Sequence, residues 1–220
     1  MTQIKRAPFR RYMRLDDARE ILKSRALTLR PAFCWPDRND LELLDLHKEI
    51  NKVDELLVAC FTRRFERNHQ WQMYVRGDCC VQINFIEEKF LQLIDDYRKR
   101  SGYEIFYDSI KYMNIENLRS SDSFSKHIIA FIKRKVYEDE KEFRIIAHAK
   151  KGVKEIKIPI DLSCIRYINV DPRASEKKFT AIKDGLKCLA GSSHIDIRRS
   201  QLNYNPDWMT EFKRFIDKTT

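Results

Sequence analysis

The spacing of apolar and polar residues predicts short strands that alternate with amphipathic helices. Residues 56–62 are almost continuously apolar, which is typical of a buried strand. Residues 79–85 alternate between apolar and other side chains, and this period of two predicts a second strand. In residues 87–98 the apolar positions instead recur at helical spacing, which predicts an amphipathic helix.

Further elements follow from the same patterns, with a first strand at 9–13 and a helix at 41–53. A second helix is predicted at 123–137, directly before a strand at 140–147. Residues 154–160 alternate strictly and are predicted to be the hairpin partner of that strand. Strands and helices are interspersed without regular βαβ units. We therefore predict one α+β domain over residues 1–220, with a mixed, twisted sheet flanked by helices.

The strand predicted at 140–147 begins with a concentrated group of charges. Because side chains alternate along a strand, Glu140, Glu142 and Arg144 would share one face, and Phe143 and Ile145 the other. Two carboxylates and a guanidinium opposite an apolar face suit a site at the mouth of a sheet. They equally suit a solvated charge cluster at a helix–strand junction, and the spacing leaves both interpretations open.

The overall charge points to phosphate-rich partners. The 220 residues include 43 Lys and Arg against 33 Asp and Glu, which gives a formal net charge of +10. Such a balance favours a nucleic acid or a nucleotide as partner. The basic residues are spread along the chain and form no basic tail.

The cysteines and the N-terminal residues indicate where the protein works. None of the six cysteines forms a C-x-x-C pair, so we expect reduced thiols in a cytoplasmic protein. The first residues contain no apolar stretch of the kind found in signal peptides. No segment approaches the roughly 18 apolar residues of a membrane span, and no membrane association is expected.

Sharp catalytic motifs are absent, and a metal site is a weaker hypothesis. The sequence contains no G-x-x-x-x-G-K-[ST], G-x-G-x-x-G, H-E-x-x-H or G-x-S-x-G pattern. Asp37, Asp40 and Glu42 could hold a divalent cation together with Glu140 and Glu142, as in metal-dependent nucleases. For Asp37, Asp40 and Glu42, the alternative is that aspartate caps the loop and forms an ion pair with Arg38. The spacing E-x-E, in place of the E-x-K of common nuclease cores, weakens the nuclease hypothesis.

Trp71 and Tyr74 are three residues apart and would face the same way on a helical turn. They could stack on a base or on nicotinamide, although aromatic side chains at this spacing are more often part of a core. Basic residues on both sides, including Arg67 and Arg76, favour the functional interpretation.

Several short motifs occur in a fixed order along the chain. They are Arg11-Tyr12, Trp35-Pro36-Asp37, Cys60-Phe61-Thr62, Trp71-Gln72-Met73-Tyr74, Glu140-Lys141-Glu142-Phe143-Arg144, Val170-Asp171-Pro172-Arg173-Ala174 and Arg199-Ser200-Gln201-Leu202. This ordered set resembles a widespread family of bacterial domains of unknown function, found in mobile-element and defence neighbourhoods. The similarity extends from residue 9 to about residue 204, and the chain departs from the pattern at Arg38 and Asp40, where the family tends to have proline and glutamate.

The order of these motifs is also similar, as an analogy, to that of ADP-ribosyltransferase folds. This likeness implies NAD as cofactor and Glu142 as the catalytic carboxylate that stabilises an oxocarbenium-like transition state. It implies that Glu140 orients the acceptor. The residues that would hold or stack on NAD are Arg11, Tyr12, Trp71, Tyr74 and Arg144.

Three functions are therefore carried forward. The first is a bacterial defence or toxin-type effector that uses NAD for ADP-ribosyl transfer or glycohydrolysis. The second is a non-catalytic module that binds nucleic acid or a protein partner such as an antitoxin, based on the charge and the basic, aromatic segment at 63–76. The third is a metal-dependent nuclease.

Overall fold

The computed structural model describes residues 9–33, 35–74, 80–120, 125–191 and 195–217, except for the side chain of Tyr74. The strands are β1 Phe9–Arg14, β2 Ala26–Leu29, β3 Glu55–Thr62, β4 Cys80–Phe85, β5 Glu104–Ser109, β6 Lys111–Met113, β7 Ile132–Arg134, β8 Glu142–Ala149, β9 Ile156–Pro159, β10 Ile165–Val170 and β11 Asp196–Arg199. The α-helices are α1 Leu15–Ser24, α2 Arg38–Asn51, α3 Asn68–Tyr74, α4 Glu87–Ser101, α5 Ile115–Arg119, α6 Glu176–Ala190 and α7 Pro206–Asp217.

Seven strands form one mixed sheet in the order β11-β10-β4-β1-β3-β8-β5. The β10–β11 pair is parallel, and the other neighbours in this sheet are antiparallel. Two further pairs, β2–β9 and β6–β7, lie outside it. The predicted α+β fold, a large mixed sheet flanked by helices, is confirmed.

The two faces of the sheet are covered differently. On one face the apolar sides of α1, α4 and α6 build a single large core with the strands. On the other face, α2 packs over β3 and β8, while α3 packs over β1 and β4 through Trp71 and Tyr12. This second face is therefore covered in two pieces, and the space between them is the cleft described below.

Local sequence signals explain where the helices beside the cleft begin and end. The Asp37 side chain accepts hydrogen bonds from the backbone N–H groups of Asn39 and Asp40, so it caps the N-terminus of α2. Lys52 adopts a left-handed conformation with φ 55° and ends that helix. None of the helices in the described parts of the chain is long and apolar enough to cross a membrane.

Two predicted elements are wrong. Residues 126–140 form two 3-10 helices separated by β7, whereas an α-helix was predicted at 123–137; residues 123 and 124 lie outside the described residues. The segment 156–159 pairs with β2, and β8 pairs with β3 and β5, so the predicted hairpin between 154–160 and 143–148 does not form. In both cases a local pattern was overridden by packing between segments far apart in sequence.

Candidate active site

A cleft of about 520 Å³ opens between β1, β3 and the start of α2. Its volume lies within the range of roughly 300–1,000 Å³ that is usual for small-molecule and cofactor sites. The residues that line it are Arg10, Arg11, Tyr12, Arg30, Pro31, Trp35, Pro36, Asp37, Asp40, Val58, Ala59, Cys60, Phe61, Thr62, Met73, Lys133, Tyr137, Glu140 and Glu142.

The cleft exists because β1 and β3 separate. Their register contains one residue pair, Arg10 opposite Thr62, whereas β3 and β8 are paired along their full length. Four residues earlier on β3, Val58 forms an isolated bridge with Arg30. The edge of β3 around Cys60 therefore faces the gap between these two contacts.

Arg144 organises the charges at the floor of this cleft. It follows Glu142 by two residues on β8, so the two side chains share one face, as predicted. Its Nε donates to Glu142 Oε1 over 2.8 Å, and its Nη1 and Nη2 donate to the two carboxylate oxygens of Asp40 over 2.9 and 2.8 Å. Nη1 also donates to the carbonyl oxygen of Ala130. Such a bidentate, charge-assisted arrangement fixes both carboxylates in place.

Lys133 is the second cation of the network. Its Nζ lies 2.7 Å from Glu140 Oε2, 3.2 Å from Glu142 Oε2 and 3.6 Å from Asp40 Oδ2. Tyr137 covers it, with Nζ 4.9 Å from the ring centroid. Two cations therefore face three carboxylates in a nearly buried space.

These contacts set the protonation state of Glu142. Burial by itself raises the pKa of this carboxyl, but Arg144 and Lys133 outweigh burial and lower the pKa to about 2. The neighbouring Glu140 behaves differently, because burial raises its pKa in spite of Lys133. The cleft thus holds one carboxylate that stays ionised at neutral pH and one that takes up a proton more readily.

Glu142 keeps room for one more hydrogen bond. A carboxylate has roughly four acceptor positions. Arg144 occupies one on Oε1 and Lys133 occupies one on Oε2, and the neighbouring Cys60 also lowers the pKa of this carboxyl. At least one acceptor position is left, on a side chain that lines the cleft.

Arg11 presents a positive charge to the cleft. Its guanidinium carbon lies 5.6 Å from the centroid of the Phe61 ring. Within the described parts of the chain its guanidinium forms no hydrogen bond and no ion pair at contact distance, and burial lowers its pKa. It also lines a second cavity of about 490 Å³, which shares Tyr12, Arg30 and Trp35 with the cleft. A partly buried cation with no counterion in contact is costly, so this position favours an anionic ligand.

Trp35 supplies an aromatic surface that the sequence interpretation did not list among the site residues. Its ring lies over Arg144, with the guanidinium carbon 5.0 Å from the ring centroid, and it is only partly buried. It lines both cavities. Its place in the W-x-D motif was the available signal, but the spacing of that motif does not show that the indole faces a cleft.

The structure brings together four of the predicted site residues, Arg11, Tyr12, Glu140 and Glu142, along the cleft. Glu140 does so from the end of a 3-10 helix and not from the predicted strand, because Lys141 adopts a left-handed conformation and β8 begins at Glu142.

Other predicted roles need correction. Trp71 is 0% exposed, packs edge to face on Tyr12 and donates through Nε1 to Glu66 Oε1, so it has no free face for stacking. Arg144 is also 0% exposed and contributes through the carboxylates it holds, so it does not contact a cofactor itself. Tyr74 ends α3, and the prediction for its side chain lies outside the described residues.

The suggested cation site is not formed. Within the described residues, no group of three or more His, Cys, Asp or Glu side chains could hold a metal ion. Each of the carboxylates of Asp40, Glu140 and Glu142 is already paired with Lys133, with Arg144 or with both. The metal-dependent nuclease hypothesis therefore loses the ligand set on which it depended.

Comparisons with known proteins give similarity at the level of structure alone. No protein-family model and no curated protein sequence matches the chain, so the resemblance to a bacterial family of unknown function stays a prediction. A structure of Thermus sp. 2.9 DarT in complex with NAD+ is 10% identical, with a TM-score of 0.44 over 93% of this chain and 100% of that chain. The same protein in complex with ADP-ribosylated ssDNA is 11% identical, with a TM-score of 0.45 over 93% and 99% of the two chains. In complex with carba-NAD+ it is 11% identical, with a TM-score of 0.43 over 91% and 99%. Because these scores lie below 0.5, the chemistry is derived from this chain's own cleft.

Proposed function

We propose that the chain is a bacterial defence or toxin-type effector that consumes NAD, by ADP-ribosyl transfer or by glycohydrolysis. The observation that carries this proposal is the environment of Glu142. It is an ionised carboxylate, 5% exposed, on the wall of a cleft that also presents the Arg11 guanidinium. A fixed negative charge in a water-poor cleft stabilises a positive charge that develops on a sugar ring.

The cleft offers complementary groups for each part of NAD as a substrate. Arg11 suits the diphosphate, because a guanidinium pairs with phosphate oxygens through several hydrogen bonds. The free acceptor position of Glu142 suits a ribose hydroxyl, which is a donor. The open side of Trp35 suits a planar heterocycle, and the second cavity, which Trp35 also lines, extends the space for the second nucleoside.

In this arrangement Glu142 and Glu140 have separate roles. As the bond between nicotinamide and the ribose C1′ breaks, nicotinamide leaves with the bonding electron pair, and Glu142 stabilises the positive charge left on the ring. An acceptor oxygen, from water or from a target, then bonds to C1′ and loses its proton. Glu140, whose pKa is raised by burial, is placed to take that proton. Arg144 acts by holding Glu142, and Asp40 acts by holding Arg144.

The rim beside the cleft supports a nucleic acid as the acceptor. Arg64, Arg67 and His69 all lie against one carboxylate, Asp139, so the two guanidinium groups alone outnumber it. The ring of Phe65 is 65% exposed. Exposed aromatic rings among guanidinium groups are the elements that hold single strands, with stacking for bases and charge for phosphates. The rim joins the cleft through Arg10, which lines the cleft and donates to the carbonyl oxygen of Arg64.

Release of nicotinamide from NAD by the purified chain tests the enzymatic proposal. We expect Glu142→Gln to lower the rate by about 10²–10³-fold, the usual cost of removing one preorganised electrostatic contact. Glu138→Gln is the matched control, because the Glu138 side chain is 47% exposed, precedes Glu142 by four residues and is absent from the cleft lining. Full activity in Glu142→Gln would refute the proposed role of Glu142. If calorimetry detects no binding of NAD, the chain is not an NAD-consuming enzyme.

The acceptor is tested separately by fluorescence anisotropy with labelled single-stranded oligonucleotides. Binding should weaken steeply with salt, and Arg67→Ala should reduce the slope of log K against log salt by about 0.7. Lys150→Ala, a charge-matched control, should leave the slope unchanged, since β8 places it roughly 25 Å from Glu142. If no oligonucleotide binds even at low salt, nucleic acid is excluded as the acceptor, whereas the proposal of glycohydrolysis still stands.

A further inference from the structure

The C-terminal helix α7 carries an apolar stripe that stays exposed beside the other described parts of the chain. Every residue from 201 to 217 is exposed. The helix begins with clear signals, because Asn205 Oδ1 accepts from the backbone N–H of Trp208 and proline occupies the first helical position. A helix of 12 residues is marginal in water without a packed face. Its stripe therefore calls for a partner surface.

The stripe is symmetric along the helix. Trp208 and Ile216 lie four residues on either side of Phe212, and Met209 and Phe215 lie three residues on either side. At 3.6 residues per turn, all five share one face. Trp208 and Phe212 are already stacked, with centroids 5.1 Å apart, so the face is preformed. In an antiparallel pair centred on Phe212, Trp208 of one copy would lie level with Ile216 of the other.

We propose that this stripe is the interface of a two-fold symmetric homodimer, in which the α7 helices of two copies pack antiparallel. A two-fold axis uses the same patch on both copies, and a stripe that is symmetric about its centre meets that requirement.

The exposed area is suited to a second copy. Tyr204, Trp208, Phe212 and Phe215 are 70%, 61%, 43% and 62% exposed. At roughly 200 Å² for each fully buried aromatic side chain, these four offer about 450 Å² per copy. Met209, Ile216 and Leu202 add to this, and a standard interface buries about 800 Å² per partner. The expected assembly is a reversible dimer.

The polar side of α7 argues against a lipid or nucleic-acid surface. It carries the acidic Asp207, Glu211 and Asp217 against the basic Lys213 and Arg214, which is three negative charges against two positive ones. Helices that lie on anionic membranes have a basic polar side, and this one has a net charge of −1. A protein surface is therefore the remaining kind of partner for the stripe.

Sedimentation equilibrium of the full chain, from about 1 to about 100 µM, tests the proposal. We expect a monomer–dimer equilibrium, and Phe212→Asp should weaken it at least about 30-fold, as expected for a central interface residue. Thr210→Asp, on the opposite side of the helix, should leave it unchanged. A wild-type chain that stays monomeric over this range overturns the proposal.

Disulfide trapping keeps the test valid if Phe212→Asp unfolds the helix. Because Phe212 lies at the symmetry axis, Phe212→Cys should form a covalent dimer on mild oxidation, and Thr210→Cys should not, with the wild-type chain as the background for the native cysteines. Equal cross-linking of both variants overturns the antiparallel arrangement. Flotation of a monomeric wild-type chain with phosphatidylserine vesicles would show that lipid covers the stripe, and would also overturn the proposal.

Discussion

Replacing Asp40 with asparagine should destabilise the fold strongly, although it removes only one charge and no volume. The Asp40 side chain is buried and accepts from Arg144 Nη1 and Nη2 over 2.9 and 2.8 Å. An amide keeps one acceptor oxygen and turns an NH₂ group toward a guanidinium donor. Arg144 would then retain Glu142 as its one charged partner at hydrogen-bond distance.

The expected cost is about 3–5 kcal/mol, the usual cost when one partner of a buried ion pair is removed. That is a large part of the roughly 5–15 kcal/mol by which a domain is stable. Urea denaturation followed by circular dichroism measures it. Asp45→Asn is the matched control on the same helix, because the Asp45 side chain is 72% exposed and, among the described residues, pairs only with Lys48. Its cost should therefore stay below about 1 kcal/mol.

A double substitution separates the ion pair from the space it fills. The Asp40 variant should lose stability because the buried charge of Arg144 then lacks a partner. Removing that charge as well should recover part of the loss. Asp40→Leu combined with Arg144→Met should therefore be less destabilising than the sum of the single variants, by about 0.5–3 kcal/mol. Strict additivity would refute this reasoning, as would a cost below about 1 kcal/mol for Asp40→Asn.

Three further predictions follow from single groups. Burial and the neighbouring His148 lower the pKa of His47 to about 4, so the fold favours its neutral form. The contribution of neutral His47 to the free energy of unfolding is about 2 kcal/mol after allowance for solvent screening; it is complete above pH 6.5 and is lost as the pH falls toward 4. Urea titrations of His47→Gln should lack this loss of stability. The same pH dependence in His47→Gln and in the wild-type chain would contradict the prediction. Burial raises the pKa of Cys60 well above its usual value, so iodoacetamide should label the exposed Cys188 much faster in a peptide-mapping assay, and equal labelling would refute this. Trp35→Ala should weaken NAD binding in a calorimeter by about 10-fold while Trp35→Phe keeps most of it, because a ring and not an indole N–H is required; equal binding by all three proteins would remove the stacking role.

The sequence patterns correctly predicted those parts of the site that lie within a single strand. The apolar run at 56–62 gave β3, and the two-residue spacing placed Glu142 and Arg144 on one face of β8, where they are in contact. These predictions succeed because a period of two is a local property of the backbone.

The parts that were missed depend on distant segments. Lys133 falls within the helix predicted at 123–137, whereas it lies on β7 and contacts Asp40 from a segment 93 positions away in the sequence. The stacking role was likewise predicted for Trp71 and not for Trp35, although both stand in motifs with basic or acidic neighbours. Only the packing of α3 on β1 shows that Trp71 is enclosed and Trp35 is not. Strand order, here β9 beside β2, is equally a matter of tertiary pairing.

The separation of β1 from β3 places an unpaired strand edge inside the protein. On this edge of β3, Val58 is paired with Arg30 and Thr62 with Arg10, and within the described residues no strand partner faces Cys60 between them. Its N–H and C=O groups are therefore available to a ligand in the cleft, as in proteins that recognise ligands by their main chain. Such contacts survive every side-chain truncation. Alanine scanning of the cleft would accordingly underestimate how much β3 contributes to binding, and a backbone ester at this position would reveal it.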